Sequence, residues 1–392
     1  MCYGAIMCLA FTVHLPPVYL NTFKSAFGDV GGLSDEQLGR IPAFMLGSLA
    51  VGIIACGPLA DRWGAKLLVL LGLACGCAGL GVMGAAGSYE MLLASACLIG
   101  LGAGMLEIVL SPIVCALRPD RRASAMNWLH SFYCTGAVCM ALFSIFALQL
   151  GISWRVVCFA MMAFPAAVIA GFARVKVPPL VHENTRRESV ATLLRQPYFL
   201  VALTGIFLVG ATEHGMVQWL PSFAERSLDF GKTTSRLALA GFMLAMALGR
   251  ILTGAAGHRI KPIRLMLICC IALAALFLAA CFCPYGTVAI SACIAAGLMV
   301  SCLWPTMLAV TADRFPGGGA SMFAALAASG NVGCFIMPWI IGVVAERTGA
   351  LNIGLATTTL CPAAMIAVLL WLRARKTAST AVEYSAVSVS ES

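Results

Sequence analysis

Residues 57–66 read Gly57-Pro58-Leu59-Ala60-Asp61-Arg62-Trp63-Gly64-Ala65-Lys66, a charged turn joining two apolar runs near 36–58 and 67–86. Its glycines permit a tight reversal and close helix approach, and Asp61 carries a charge that can face the positive end of a neighbouring helix. Each flanking run has the roughly 20 residues that an α-helix needs to cross a bilayer. The turn reads as a hairpin tip at a membrane surface, and the rest of the chain repeats its surroundings.

Of the 392 residues, 61% are hydrophobic and 10% are charged, and the mean hydropathy is +0.96. Ordinary soluble domains hold about 45–50% and about 25% respectively, so a soluble enzyme is excluded and lipid is the solvent for most of the surface. About twelve stretches can span, near 3–23, 36–58, 67–86, 89–117, 124–150, 154–173, 198–225, 234–257, 265–282, 287–312, 322–346 and 352–372. Ser34-Asp35-Glu36-Gln37 is a capping box opening the second, while Gly87-Ser88, Pro284 and Gly317-Gly318-Gly319 mark turns. No cleavable leader is expected. The 18 Cys lie almost wholly inside apolar runs, as in Cys75-Gly76-Cys77 and Cys269-Cys270, and read as small hydrophobes rather than bridges or metal ligands.

An even number of spans puts both termini on one side, and 18 of the 25 Lys and Arg fall on that side. They cluster at Arg62 and Lys66, at 118–122, at 174–195, from Arg250 to Arg264, and at Arg314 and the tail. The positive-inside rule makes this face and both termini cytoplasmic, with the chain in the cell's inner (plasma) membrane. The net charge of +9 is thereby a topology signal, and no separate domain supports nucleic-acid binding. The polar segment 174–197 divides the spans six and six. The expected organisation is an N-terminal six-helix half (1–173), a cytoplasmic linker (174–197), a C-terminal six-helix half (198–376) and a disordered tail (377–392). Within the linker, Glu183 and Arg187 have the spacing of a short surface helix.

An offset of 197 residues brings Gly57 onto Gly254, Arg62 onto Arg259, Ser124 onto Ser321 and Gly136 onto Gly333. Two six-helix halves in parallel repeat around a central site is a plan of secondary transporters. The string Gly57 to Lys66 resembles the signature loop of the major facilitator superfamily. That resemblance implies an all-α fold of twelve transmembrane helices in two six-helix pseudo-repeats. It also implies a gate in which the acid and Arg latch one conformational state, drawing on Gly57, Asp61, Arg62, Gly64 and Lys66. The second-half copy keeps Gly254 and Arg259 but has His258 in the place of the acid.

An ionisable side chain at mid-bilayer costs about 2.5–3.5 kcal/mol on insertion scales, so each invites a functional explanation. Glu107 follows Gly100-Leu-Gly-Ala-Gly104-Met-Leu, where glycines let other helices approach, and a buried carboxyl there suits taking and releasing a proton; a structural bond to a neighbouring helix is the alternative. Glu213 opens Thr212-Glu213-His214, followed by Gln218-Trp219-Leu-Pro221. His214 and Gln218 share a helix face, and a bend at Pro221 would bring Trp219 to them, an indole beside polar groups that suits a sugar. Trp219 as an interfacial belt residue is the alternative. Asn127, His130, Ser131 and Cys134 form one stripe, read either as solute contacts or as helix-packing groups. His14 before Pro16-Pro17, Trp304-Pro305, and Ser329 with Asn331 are further candidates. The absence of Walker A, HExxH, GxSxG and CxxC strings removes the chemistry of ATP-driven transport, a membrane protease or a lipase.

The stretch from Gly100 to Val138, with Glu107, Ser111-Pro112 and Asn127-Trp-Leu-His130, is similar to the fucose:proton symporter branch of that superfamily. So are Gly210 to Pro221, Gly249-Arg250 and Ser329-Gly-Asn331-Val-Gly333 to Pro338. The resemblance implies that the branch's fourth-helix acid, linked to sugar and proton handling, is Glu107. The branch's first-helix Asp has no counterpart, and Ser111 stands where the branch has Asn.

The expectation is a carrier, not an enzyme, needing no cofactor or metal and acting as a monomer. It would move a small polar solute, a monosaccharide first, by proton-coupled alternating access. Glu107 and Glu213 would handle protons, and His14, Asn127, His130, His214, Gln218, Trp219, Trp304 and Asn331 would contact solute. Gly57, Asp61, Arg62, Gly64, Lys66 and Arg259 would gate. Export or import of an organic-acid or amphipathic solute, and a non-transporting membrane sensor or scaffold, are the alternatives.

Overall fold

The computed structural model describes residues 1–27, 32–33, 35–178, 180, 188–256 and 259–390; Ser34 of the expected capping box, the Glu183–Arg187 pair and His258 lie outside them. Regular structure among the described residues is helical. The long helices are α1 (Cys2–Val18), α2 (Asp35–Trp63), α3 (Ala65–Ala85), α4 (Tyr89–Leu117), α5 (Arg122–Gln149) and α6 (Trp154–Arg174). They continue as α7 (Pro197–Arg226), α8 (Lys232–Ala256), α9 (Pro262–Phe282), α10 (Gly286–Arg314), α11 (Gly319–Thr348) and α12 (Leu351–Arg375). Ten are long and apolar enough to cross a membrane; α1, with a shorter apolar run over Cys2–Pro16, and α5, of 28 residues, hold the places of the other two expected spans. The helical course of α12 runs on to Ser390, where the sequence predicts a disordered tail from 377.

A backbone in lipid must satisfy every N–H and C=O internally, which is why these apolar runs become uninterrupted helices. Where prolines remove a donor the course changes: α1 stops at Val18, the Tyr19 amide donates back to Pro16 O at 3.1 Å, and a short helix Leu20–Ala26 follows. Side chains such as Ile54 (65% exposed), Leu360 (70%) and Phe335 (76%) are largely exposed, an arrangement that lipid tolerates and water does not. The chain is a multi-pass membrane protein.

Two compact units make up the chain: Met1–Val190 with Phe315–Ala328, and Ala191–Arg314 with Ser329–Ser392. The first boundary falls inside the predicted linker 174–197, and residues 315–328, from the second half of the sequence, belong to the first unit. In that unit α4 lies between α2 and α3. Gly100 and Gly104 meet the α2 backbone at Met45 and Leu49, and Gly102 meets Gly72 of α3, so closely that a Cβ on any of them would strike main chain. Leu68, Leu73, Leu106, Val109 and Phe172 fill the core, with Ala320, Ala324 and Ala327 of α11 packed into it. In the second unit α7 crosses α11 in the same manner, Gly210 against the Gly330 carbonyl and Gly333 against the Phe207 carbonyl.

Candidate functional site

The 57–66 turn becomes a polar site between α2 and α11. Gly57, on α2, faces the first turns of α11, where an added Cβ would lie 2.8 Å from the Ala324 Cβ and 3.3 Å from the Ser321 Cα. This approach carries Asp61 to the N-terminus of α11. Asp61 Oδ1 accepts from the Ala320 amide at 2.8 Å, and Oδ2 accepts from the Ser321 amide at 3.0 Å and the Ser321 hydroxyl at 2.6 Å. The first amides of a helix have no intrahelical acceptor and carry its positive pole, so a carboxylate from a distant part of the chain serves as the cap. Gly319, at φ +56°, begins α11 against the Asp61 carboxylate, where a side chain would collide with it. Gly64 ends α2 at φ +90°, a conformation reserved for glycine, and its amide closes the helix on Ala60 O at 3.0 Å. Lys66 then reaches across to donate to the Ala173 carbonyl at 2.8 Å, near the C-terminus of α6, where a cation is favoured.

The two arginines named with this gate do not join it. Arg62 is exposed, and among the described residues it makes no hydrogen bond or ion pair; the same holds for Arg259 in the second copy. The cap on α11 is made by the Asp61 carboxylate with the Ala320 amide and the Ser321 amide and hydroxyl.

Glu107 is half-buried on α4, and among the described residues its carboxylate makes no hydrogen bond or ion pair. Neighbouring helices bring further polar groups into the same unit, since α1 packs on α4 and α5. His14 Nε2 and the Tyr133 hydroxyl are hydrogen-bonded at 3.1 Å, linking α1 to α5. Two groups of the α5 stripe bond within their own helix. Asn127, fully buried, donates Nδ2 to Ala123 O at 2.8 Å, and Ser131 donates to Trp128 O at 2.8 Å, while His130 is half-buried.

In the second unit Glu213 has a partner that the sequence reading lacks. Arg250 Nη2 lies 3.3 Å from Glu213 Oε2, with the two side chains 4% and 12% exposed, and Arg250 Nε donates to Ser301 O at 3.1 Å. Gly249 allows this by letting α8 close on α10 at Ser301. Charge counting assigns Arg250 to the basic cytoplasmic face; in the structure it instead lies buried within the apolar span Leu237–Ala255 as an internal counter-charge. The signal was present: Ala-Leu248-Gly-Arg250-Ile-Leu252 is an apolar frame, not a loop.

His214 and Gln218 are exposed on α7, whereas Trp219 is half-buried and its indole N–H donates to Pro338 O at 2.9 Å, with its ring on Gly342. Trp304 is 9% exposed and its benzo ring occupies the space where a Gly330 side chain would stand; Ser329 donates to Leu203 O at 2.9 Å, and Asn331 beside it is half-buried. The aromatic candidates thus serve packing between helices of the second unit, while His214 and Gln218 keep their polar groups at the surface.

The profile described as Major Facilitator Superfamily matches residues 1–235 and 225–386. The chain belongs to that superfamily. It is a transporter, not an enzyme. Its fold is similar to that of the Escherichia coli fucose:proton symporter FucP, with a TM-score of 0.80 at 18% identity over 95% of this chain and 97% of that one. The proton:xylose symporter XylE, solved with 6-bromo-6-deoxy-D-glucose, aligns at a TM-score of 0.78 and 11% identity, covering 94% of each chain. In sequence the chain is 26% identical to the Bacillus subtilis (strain 168) protein named for niacin/nicotinamide transport, NiaP, over 361 residues and 86% of each chain. It is 24% identical over 257 residues to the cis,cis-muconate transport protein of Acinetobacter baylyi, covering 60% of this chain and 59% of that relative.

Proposed function

We propose that this superfamily member is a proton-coupled secondary transporter of a small polar solute, working by alternating access as a monomer in the inner membrane with both termini cytoplasmic. The observation that carries the coupling is Glu107, a half-buried carboxylate within an apolar span that makes no hydrogen bond or ion pair among the described residues. An acid kept there without a counter-charge is costly unless its charge changes during work. Glu213 differs, because Arg250 already compensates it, so proton traffic is assigned to Glu107 first. Asp61 holds one state of the cycle by capping α11, a helix that continues from residues 319–328 into the second unit.

Two solute classes follow. A monosaccharide is the reading that the fucose-symporter resemblance supports. An organic acid is the second, and the names of the sequence relatives favour it: one is named for niacin/nicotinamide, of which niacin is a carboxylate, and the other for muconate, a dicarboxylate. Uptake of radiolabelled sugars and of small carboxylates into proteoliposomes, each with and without an inward proton gradient, separates the classes. Acceleration of one class by the gradient is expected. Uptake indifferent to the gradient for every solute taken up contradicts the coupling.

A further inference from the structure

A cavity of about 300 Å³ opens at the end of the first unit where α1 begins and α4 and α6 end. Its walls are apolar, with Ile113 and Val114 of α4 and Phe172 of α6 among them. Its rim combines two features that oppose each other in water. Leu117 and Val175 stand 52% and 39% exposed, and beside each sits a cation, Arg118 and Lys176, exposed and without an ion pair or hydrogen bond among the described residues. The sequence at the two helix ends is basic: 118–122 carries Arg118, Arg121 and Arg122 with Asp120, and 174–176 carries Arg174 and Lys176. None of these groups belongs to the Asp61 latch, to Glu107 or to the Arg250 pair.

An apolar cleft with cations at its mouth, on the face where a membrane protein's basic residues collect, fits a molecule that is apolar along its length and anionic at one end. Neither a free anion nor a neutral lipid matches both halves, because the first leaves the walls wet and the second leaves the two charges unused. We propose that this cavity binds an anionic phospholipid, the phosphate between Arg118 and Lys176 and part of an acyl chain against Ile113, Val114 and Phe172.

The test is native mass spectrometry of the detergent-solubilised full chain, titrated with phosphatidylglycerol, with phosphatidylcholine of the same acyl chains, and with glycerol 3-phosphate. Phosphatidylglycerol is expected to bind in preference to both others. With about a fivefold contribution from each basic residue at an anionic membrane surface, Arg118→Gln with Lys176→Gln should weaken phosphatidylglycerol about 25-fold and leave phosphatidylcholine unchanged. Both side chains are exposed, so the lipid-free melting temperature of the double variant should match the parent. Equal binding of phosphatidylcholine, undiminished phosphatidylglycerol binding by the double variant, or glycerol 3-phosphate binding as tightly as the whole lipid would each overturn the proposal.

Discussion

Replacing Asp61 by Asn should release the first turn of α11. The carboxylate accepts from the Ala320 amide, the Ser321 amide and the Ser321 hydroxyl, at 2.8, 3.0 and 2.6 Å. An amide has one oxygen, so if that oxygen keeps both Ser321 donors its NH2 is turned towards the Ala320 N–H, donor against donor. The loss is one hydrogen bond to a charged acceptor, about 1.5–3 kcal/mol. To it is added the charge at a helix N-terminus, about 0.3–1 kcal/mol. A total near 3 kcal/mol corresponds to about a 150-fold rise in local opening. Hydrogen–deuterium exchange in lipid nanodiscs reads this directly at the Ala320 and Ser321 amides. Ser321→Ala removes only the hydroxyl bond and should raise exchange about tenfold, a loss of about 1.5 kcal/mol. Arg62→Gln, at an exposed residue one position away, should change nothing. Unaltered exchange over 319–322 in Asp61→Asn, or an equal rise in Arg62→Gln, would refute the cap.

Gly57→Val should raise exchange at the same amides, since its Cβ would press on Ala324 and Ser321, an overpacking cost of about 1–3 kcal/mol. Gly64→Ala should lower the thermal midpoint by forcing a side chain to φ +90°, at about 1–3 kcal/mol, and a midpoint equal to the parent's would contradict that strain. Arg250→Leu should destabilise the second unit by about 3–5 kcal/mol by leaving Glu213 uncompensated, and Glu213→Leu added to it should restore most of the loss. Denaturant unfolding of the single and double variants checks this, and a double variant no better than the single one removes charge compensation as the explanation.

The fold was legible because its determinants are local. Span length, the 57–66 turn and the α4 glycines act through backbone geometry and burial, which a sequence displays directly. Asp61 was legible as a group seeking a positive helix end, although the identity of that end, 259 positions away at Ala320, depends on tertiary packing. Arg250 was misplaced because counting charges by connection treats a basic residue near a span's end as a surface group, whereas its partner Glu213 lies on the preceding helix. For Trp219 and Trp304 an aromatic residue beside polar groups is common to binding sites and to close-packed helices, and the sequence does not display the Pro338 carbonyl and the Gly330 backbone that the two indoles meet in the fold. Glu107 kept its interest for the opposite reason, since the folded chain supplies it no bond among the described residues.

Proton coupling through Glu107 is tested most directly in proteoliposomes, by recording solute-driven proton entry and solute counterflow side by side for the parent chain and Glu107→Gln. Proton entry should vanish in the variant while counterflow persists. Proton entry at the parent's rate per solute moved would contradict the assignment.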